Sequence, residues 1–185
     1  MDNLYIKKVL NGEPEEFRYF INQYKDMAFS IAFSVVKNEF VAAEIVQEAY
    51  VKAYQNLKTF KGYSKFSTWF YRIVINESYK ALRKKGEKYV DLNYEKGINT
   101  TVNPGILEDF KVEEQKFFIN ESLNRLPANE CLVLRLYYLN ENSIKEICEM
   151  TGWSESNVKV LMYRGRNNMQ QILQKMLKQE AKFLI

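Results

Sequence analysis

Apolar side chains recur along this chain at steps of three and four residues, the spacing of helices that bury one face. The first such stretch, residues 15–35, begins just after Gly12 and Pro14 and predicts a long helix. A second helix is expected over 41–57, and a third over 67–85, whose basic C-terminal end suits the helix dipole. The N-terminal half is therefore predicted to be a bundle of helices.

The periodic pattern lapses between residues 87 and 110 and then resumes. Gly, Asn, Thr and Pro accumulate in the lapse, which is typical of a linker. Helical spacing returns near residue 111, pauses at Leu126-Pro127 and continues from Ala128 to Leu139, before the polar turn 140–142. No alternating strand pattern competes with it. We expect an all-α protein of two small helical domains, 1–88 and 111–185, joined by a flexible linker at 89–110.

Two closely spaced helices near the C-terminus form a helix-turn-helix pattern. The first opens with a capping box, in which Ser143 and Glu146 can each satisfy the other's free backbone amide. Gly152 suits a left-handed turn, and Ser154 can cap a longer helix over 155–178. The second helix is therefore expected to enter the major groove of DNA. A helical hairpin inside an ordinary bundle is the alternative interpretation.

The exposed first turns of that second helix carry the side chains that would meet DNA. Arginines farther along the helix are better placed for phosphates, which fix register without carrying sequence information. The candidates for base or adjacent backbone contact are Glu155, Ser156, Asn157, Lys159, Val160 and Tyr163, and those for phosphate contact are Arg164 and Arg166.

Charge and composition narrow the possible functions. The net charge of the 185 residues is only +4, but basic residues concentrate in 58–88 and again in 156–179. The chain has no histidine and only Cys131 and Cys148, which excludes the usual zinc patterns and histidine-based catalysis. No apolar run approaches the roughly 20 residues that cross a bilayer. We expect a cytoplasmic protein with no metal, no cofactor, no small-molecule substrate and no membrane insertion.

Aromatic rings alternate with cations between residues 60 and 72, just before and within the third predicted helix. Rings can stack on unpaired bases while cations neutralise the phosphate backbone, so this segment is suited to single-stranded nucleic acid. For Trp69 and Phe70, whose spacing is helical, a core position is favoured. Phosphate contact is expected from the basic residues at the end of the third helix, which include Lys80, Arg83 and Lys84.

The second predicted helix has a polar face with Glu44, Gln47, Glu48 and Val51 turned away from its apolar side. Two carboxylates four residues apart could hold a metal ion in a nuclease. A docking surface is the simpler interpretation, because Gln47 lies between them and no further acidic cluster or histidine is present.

Taken together, these segments resemble the extracytoplasmic-function (ECF) group of the sigma-70 family. The stretch 44–50, Glu-Ile-Val-Gln-Glu-Ala-Tyr, is similar to the family's signature in region 2.2, and 66–76 is similar to regions 2.3 and 2.4. In the C-terminal half, Leu126-Pro127, Gly152 and the run 157–159 resemble region 4. The resemblance implies a factor that directs bacterial RNA polymerase to promoters and catalyses nothing itself.

The same resemblance assigns partners and residues. It implies that Glu44, Gln47, Glu48 and Val51 dock on the clamp coiled coil of core polymerase, that the flap is a second contact, and that a membrane-bound anti-sigma factor is a common partner. It implies minus-thirty-five recognition by the helix-turn-helix. The minus-ten element would be melted and held by Lys61, Tyr63, Ser64, Lys65, Phe66, Ser67, Asn76, Lys80, Arg83 and Lys84. A stand-alone helix-turn-helix regulator of duplex DNA is the alternative function.

Overall fold

A computed structural model describes residues 1–84 and 111–183, with side chains through 178, and contains only helices and turns over those ranges. The all-α prediction is confirmed. The predicted linker, 89–110, lies outside the described residues. The helices are α1 (Asp2–Leu10), α2 (Arg18–Val36), α3 (Glu39–Gln55), α4 (Phe66–Lys84), α5 (Val112–Asn124), α6 (Ala128–Leu134), α7 (Ile144–Thr151) and α8 (Glu155–Phe183).

Local sequence explains where the first long helices end and begin. Lys37 takes the left-handed conformation, with φ at 50°, and its N–H donates to the carbonyl oxygen of Phe33, which closes α2. Asn38 then caps α3, because its Oδ1 accepts a hydrogen bond from the Val41 N–H at 3.0 Å. A two-residue connection therefore turns the chain from α2 into α3.

The N-terminal half is a bundle of α2, α3 and α4, held together by stacked and edge-on rings. Phe20 and Phe70 are fully buried, and Phe66 lies 4.2 Å from Phe20 between ring centroids. Tyr50 stacks on Phe70 at 4.6 Å. Ring pairs of this kind add about 0.5–1.5 kcal/mol each beyond the area that they bury. The aromatic core fixes the angle between α4 and the other two helices.

The sequence analysis missed α1, which lies before the first predicted helix. Its Asp2 carboxylate accepts hydrogen bonds from the hydroxyls of Tyr19 at 3.0 Å and Tyr24 at 2.7 Å, and Tyr5 stacks on Tyr19. Burial and the hydrogen bond to Asp2 raise the pKa of Tyr24 far above its ordinary value. Three aromatic side chains therefore attach α1 to α2. The spacing of apolar residues over the nine residues of α1 does not reveal this link.

The C-terminal half is built on α8, which packs against α5, α6 and α7. Gly165 of α8 allows α6 to approach α8 closely, because a Cβ at this position would meet Leu134 at 3.1 Å and Glu130 at 3.3 Å. Between α6 and α7 the chain makes a π-helical turn, Arg135–Leu139, where the sequence predicted a continuous helix to 139.

The two halves pack against each other through α2 with α6 and α4 with α7. Leu132, Leu136 and Ile147 are fully buried in the same apolar cluster as the rings of the N-terminal bundle. Polar links cross the contact: the Tyr79 hydroxyl donates to Asn129 Oδ1 at 2.6 Å. The described parts of the two halves thus share one continuous core.

Candidate functional site

The outer face of α3 carries the polar side chains singled out in the sequence. Glu44, Gln47 and Glu48 are exposed, and Val51 is 51% exposed. These four residues together are the α3 face. Because the apolar side of α3 is buried against α2 and α4, this face makes no contribution to the core. Within the part of the chain that the structure describes, its four side chains are exposed to solvent.

A groove of about 390 Å³ runs beside the α3 face, between α3 and α4. Glu48, Glu77 and Lys80 of its lining belong to an ion-pair network: Lys52 contacts Glu77 at 2.7 Å and Glu48 at 3.4 Å, and Lys80 contacts Glu77 at 3.6 Å. Burial alone would raise the pKa of Glu77, but the hydrogen bonds and charges of Lys52 and Lys80 outweigh it and lower that pKa. Neither Lys52 nor Glu77 was predicted as part of the site. The four-residue spacing of Glu48 and Lys52 is nevertheless a signal for the ion pair between these two residues.

The loop between α3 and α4 presents the alternating rings and cations. Tyr63 is 92% exposed, Lys61 and Lys65 are exposed, and Ser64 is half-buried. Gly62 takes the left-handed conformation, with φ at 75°, which turns the loop outward. A ring and two cations thus face solvent within a few residues of one another.

Phe66 requires a correction. Its ring is only 2% exposed and is enclosed by Phe20, Phe60 and Trp69. It cannot stack on a base in this arrangement, because the aromatic core already covers its faces. Phe66 instead supports the loop from below, and Ser67 beside it is half-buried in the first turn of α4.

Basic and polar residues continue along one side of α4. Asn76, Lys80, Arg83 and Lys84 recur at steps of three and four residues, and all four are exposed. Lys80 contacts Glu77, while Arg83 and Lys84 lie in the last turn of the helix. These side chains form a mostly cationic edge along the second half of α4, which can follow a phosphate backbone.

The helix-turn-helix forms as the capping residues predict. Ser143 Oγ accepts a hydrogen bond from the Glu146 N–H at 3.3 Å, and the Ser143 N–H donates to Glu146 Oε2 at 2.9 Å. Gly152 ends α7 with φ at 75°, and Ser154 Oγ accepts from the Asn157 N–H at 3.3 Å. Both caps and the left-handed glycine are confirmed.

The first turns of α8 present the predicted contact residues to solvent. Val158, Leu161 and Met162 are buried against the rest of the motif, as expected for its core. The exposed residues are Ser156, Asn157, Lys159, Val160, Tyr163 and Arg166, and Arg164 is half-buried. Lys159 forms an ion pair with Glu155 at 2.5 Å, and Arg166 donates to the Tyr138 hydroxyl at 3.4 Å.

One ion pair joins the loop to the helix-turn-helix. Lys65 Nζ lies 2.8 Å from Glu146 Oε1, and the Lys65 side chain keeps 69% of its exposure. The hydrogen bond from Lys65, with further hydrogen bonds from Ser143, lowers the pKa of Glu146 to about 2. Sequence reasoning placed these two residues in separate domains and gave no signal that they meet.

Within residues 1–84 and 111–183, no group of three or more His, Cys, Asp or Glu side chains could hold a metal ion. Glu48, one half of the alternative metal pair, instead faces Lys52. No described helix is long and apolar enough to cross a membrane.

Family models match both halves of the chain. Sigma-70 region 2 matches residues 20–88, and Sigma-70, region 4 matches residues 119–169. The first match contains the α3 face, the loop and α4, and the second contains the helix-turn-helix.

Relatives and solved structures agree with these matches. The ECF RNA polymerase sigma factor SigW of Bacillus subtilis is 31% identical over 169 residues, covering 87% of this chain and 90% of its own. The ECF RNA polymerase sigma-E factor of Escherichia coli K12 is 27% identical over 175 residues, covering 89% of this chain and 90% of its own.

Two solved structures share the fold. The sigma factor RpoE, in complex with the anti-sigma factor NepR from Bartonella quintana, has a TM-score of 0.64 at 22% identity, covering 86% of this chain and 98% of its own. CnrH, in complex with the cytosolic domain of CnrY, has a TM-score of 0.65 at 17% identity, covering 94% and 97%. The two family models and SigW show that the chain belongs to the sigma-70 family of RNA polymerase sigma factors, in its extracytoplasmic-function group.

Proposed function

We propose that the α3 face binds core RNA polymerase, at the clamp coiled coil, and that this contact recruits the chain to promoters. The observation that carries the proposal is the exposure of Glu44, Gln47, Glu48 and Val51 on a helix whose opposite side is fully used in the core. An exposed aliphatic side chain ringed by carboxylates and an amide is typical of a polar-rimmed protein interface. The adjoining groove between α3 and α4 extends the same surface.

The loop and α4 hold the unpaired minus-ten strand in this proposal. Tyr63 offers a ring face to a base, while Lys61, Lys65 and the cationic edge Asn76, Lys80, Arg83 and Lys84 follow the phosphates. Ser64 and Ser67 supply hydroxyls beside them, and Phe66 keeps the loop in place. Trapping of unpaired bases offsets the cost of unstacking, a few kcal/mol for each base.

The helix-turn-helix reads the minus-thirty-five element as duplex. Ser156, Asn157, Lys159, Val160 and Tyr163 lie on the exposed first turns of α8, where a recognition helix meets base edges. Arg164 and Arg166 follow them along the helix and contact phosphates. Glu155 neutralises Lys159 until DNA competes for it.

The functional units are residues 1–88 for polymerase docking and minus-ten recognition, 89–110 as the connection, and 111–185 for minus-thirty-five recognition and the flap. The protein acts by binding alone, as sigma factors do, with no cofactor and no small-molecule substrate. An anti-sigma factor is a further partner, which is supported by the solved relatives RpoE with NepR and CnrH with the cytosolic domain of CnrY.

Binding of purified core polymerase to the labelled chain tests the docking surface. Glu44→Lys should weaken binding at least tenfold, about 1.4 kcal/mol, because it reverses a charge at the centre of the proposed contact. Glu15→Lys is the matched control, since Glu15 is an exposed carboxylate on the 3₁₀ turn Pro14–Phe17 and is not one of the four residues of the α3 face. Equal affinities for the two variants would refute docking through α3.

A further inference from the structure

An aromatic ring stands in solvent at the start of α3. Phe40, the second residue of that helix, is 84% exposed. Of the phenylalanines whose side chains the structure describes, only Phe40 and Phe117 are exposed. Phenylalanine is also a weaker helix former than alanine or glutamate, so the ring brings no local gain to α3. The described part of the fold therefore gives no reason for an aromatic side chain at position 40.

Phe40 lies on the same stripe of α3 as three residues of the α3 face. Phe40, Glu44, Gln47, Val51 and Tyr54 follow one another at steps of four, three, four and three residues, and all five are exposed. At about 1.5 Å per residue, the stripe is about 21 Å long. A repeat of this kind, seven residues for every two positions, is the spacing at which one helix packs along another. The stripe is therefore suited to a helical partner.

The two aromatic residues at the ends of the stripe project from a fixed backbone. Asn38 caps α3 through its hydrogen bond from the Val41 N–H at 3.0 Å, so the turn that carries Phe40 is held in place. At the other end, the Tyr54 ring meets Phe17 edge-on, with the ring centroids 5.2 Å apart. Little backbone freedom would be lost when these rings are covered, which favours binding.

Polar side chains separate the two rings along the stripe. Glu44 and Gln47 are exposed there, and Glu48 lies beside them with its side chain 56% exposed. Carboxylates next to an apolar anchor favour a partner that places basic side chains opposite them. In most interfaces a few large side chains, surrounded by weaker contacts, carry most of the affinity. The surface thus fits a basic helix with an apolar gap that can take a ring.

We propose that Phe40 is an apolar anchor of polymerase docking, and that its ring inserts between side chains of one helix of the clamp coiled coil. The inference rests on the proposed docking of the α3 face and extends that contact by one helical turn beyond Glu44. Heptad spacing fits a coiled coil as the partner, and the carboxylates fix which part of it lies opposite α3. Phe40 then supplies affinity, while Glu44 and Glu48 supply register.

Binding of purified core polymerase to the labelled full-length chain tests the anchor. Phe40→Ala should weaken binding about 5- to 30-fold, as expected for an interface residue that carries affinity. Phe40→Met keeps an apolar, adaptable side chain and should restore most of the loss. Leu4→Ala is the control, because Leu4 is an apolar residue of α1 that is 53% exposed. Phe40→Ala should leave the urea midpoint of the free chain unchanged, since the ring is exposed.

Wild-type affinity for Phe40→Ala would overturn the proposal. So would an equal loss for Leu4→Ala, because any exposed apolar side chain would then have the same effect.

Photo-cross-linking in the polymerase complex shows what lies opposite the ring. Phe40→p-benzoylphenylalanine should cross-link to the clamp coiled coil of the largest subunit, as should Val51→p-benzoylphenylalanine within the α3 face. A cross-link from position 51 without one from position 40 would overturn the anchor and leave docking through α3 intact. Failure of docking itself would appear as equal affinities for Glu44→Lys and Glu15→Lys, with no cross-link to the clamp from either position.

Discussion

Adjacent residues in the loop between α3 and α4 have opposite surroundings. Lys65 extends into solvent and contacts Glu146, whereas Phe66 is buried among Phe20, Phe60 and Trp69. The buried ring fixes the backbone from which the cation and the exposed Tyr63 project. A loop that binds a single strand needs both kinds of residue, because an unsupported loop would lose conformational entropy on binding.

At Gly165, close packing outweighs helix propensity. Alanine in a helix interior gains about 1 kcal/mol over glycine, but overpacking a filled core costs about 1–3 kcal/mol. The side chains that a Cβ would meet, Leu134 and Glu130, are both buried, so each would have to shift by a few tenths of an ångström within a packed interior. We expect Gly165→Ala to lower the free energy of unfolding by about 1 kcal/mol, measured by urea denaturation.

A second substitution separates packing from backbone effects. Leu134→Val removes part of the side chain that faces Gly165, so Gly165→Ala should cost less in that background than in the wild type. Additive effects of the two substitutions would contradict the packing explanation.

The Lys65–Glu146 pair also predicts a pH dependence. The pKa of Glu146 in the folded chain is about 2, below its ordinary value of 4.5, so its stabilising effect is complete above about 4.5 and is lost as the pH falls toward 2. The difference in free energy of unfolding between wild type and Glu146→Gln should therefore shrink from about pH 6 to about pH 3. A difference that stays constant over this range would show that the carboxylate gains nothing from Lys65.

At the level of single residues, the sequence could indicate what chemistry a side chain offers but not whether that side chain is exposed to solvent. Lys61, Tyr63 and Lys65 are exposed as the ring and cation pattern requires, yet Phe66 has the same pattern and is buried. An aromatic residue within a mixed segment can face either way, and the choice depends on rings that lie far away in sequence, such as Phe20.

Among the elements, the helix-turn-helix depends most on local sequence. Ser143 caps α7, Gly152 ends it and Ser154 caps α8, so each boundary is encoded by a residue beside it. The α1 helix and the π-helical turn Arg135–Leu139 have no such signals, because α1 is held by Tyr19 and Tyr24 and the turn forms where α6 meets α7. The boundaries of α7 and α8 were predicted from these caps, whereas α1 and the π-helical turn were not predicted.

Ser143→Ala tests the capping contribution. The substitution removes the acceptor for the Glu146 N–H and should destabilise the protein by about 1 kcal/mol, within the usual range of about 0.5–2 for such caps. Ser143→Thr keeps the hydroxyl and should restore most of the loss in thermal unfolding. If Thr and Ala were equally destabilising, the hydrogen bond would not be the cause.

On the scale of the whole molecule, the two halves meet through residues that no local pattern pairs. Lys65 and Glu146 are 81 positions apart, and Tyr79 and Asn129 are 50 apart. Periodicity predicts which side of a helix is apolar, but not which other helix will cover it. The family resemblance supplied the function, and the packed arrangement could be seen only in the structure.

Salt dependence distinguishes the two kinds of minus-ten contact in the polymerase complex. Arg83→Ala should reduce the slope of log affinity for promoter DNA against log salt by about 0.7–0.9, since one phosphate contact is lost. Tyr63→Ala should weaken the open complex and leave the slope unchanged, because a stacked ring displaces no counterion. Equal slopes for Arg83→Ala and wild type would show that Arg83 does not contact a phosphate.

Transcription by sigma-free core polymerase on promoter fragments from the source genome tests the function most directly. The wild-type chain should produce defined start sites, Glu15→Lys should produce the same sites at similar strength, and Glu44→Lys should lose most of them through weakened docking. If the wild-type chain gives no initiation but binds duplex DNA tightly by itself, the result would contradict a promoter-directing role and favour a stand-alone helix-turn-helix regulator.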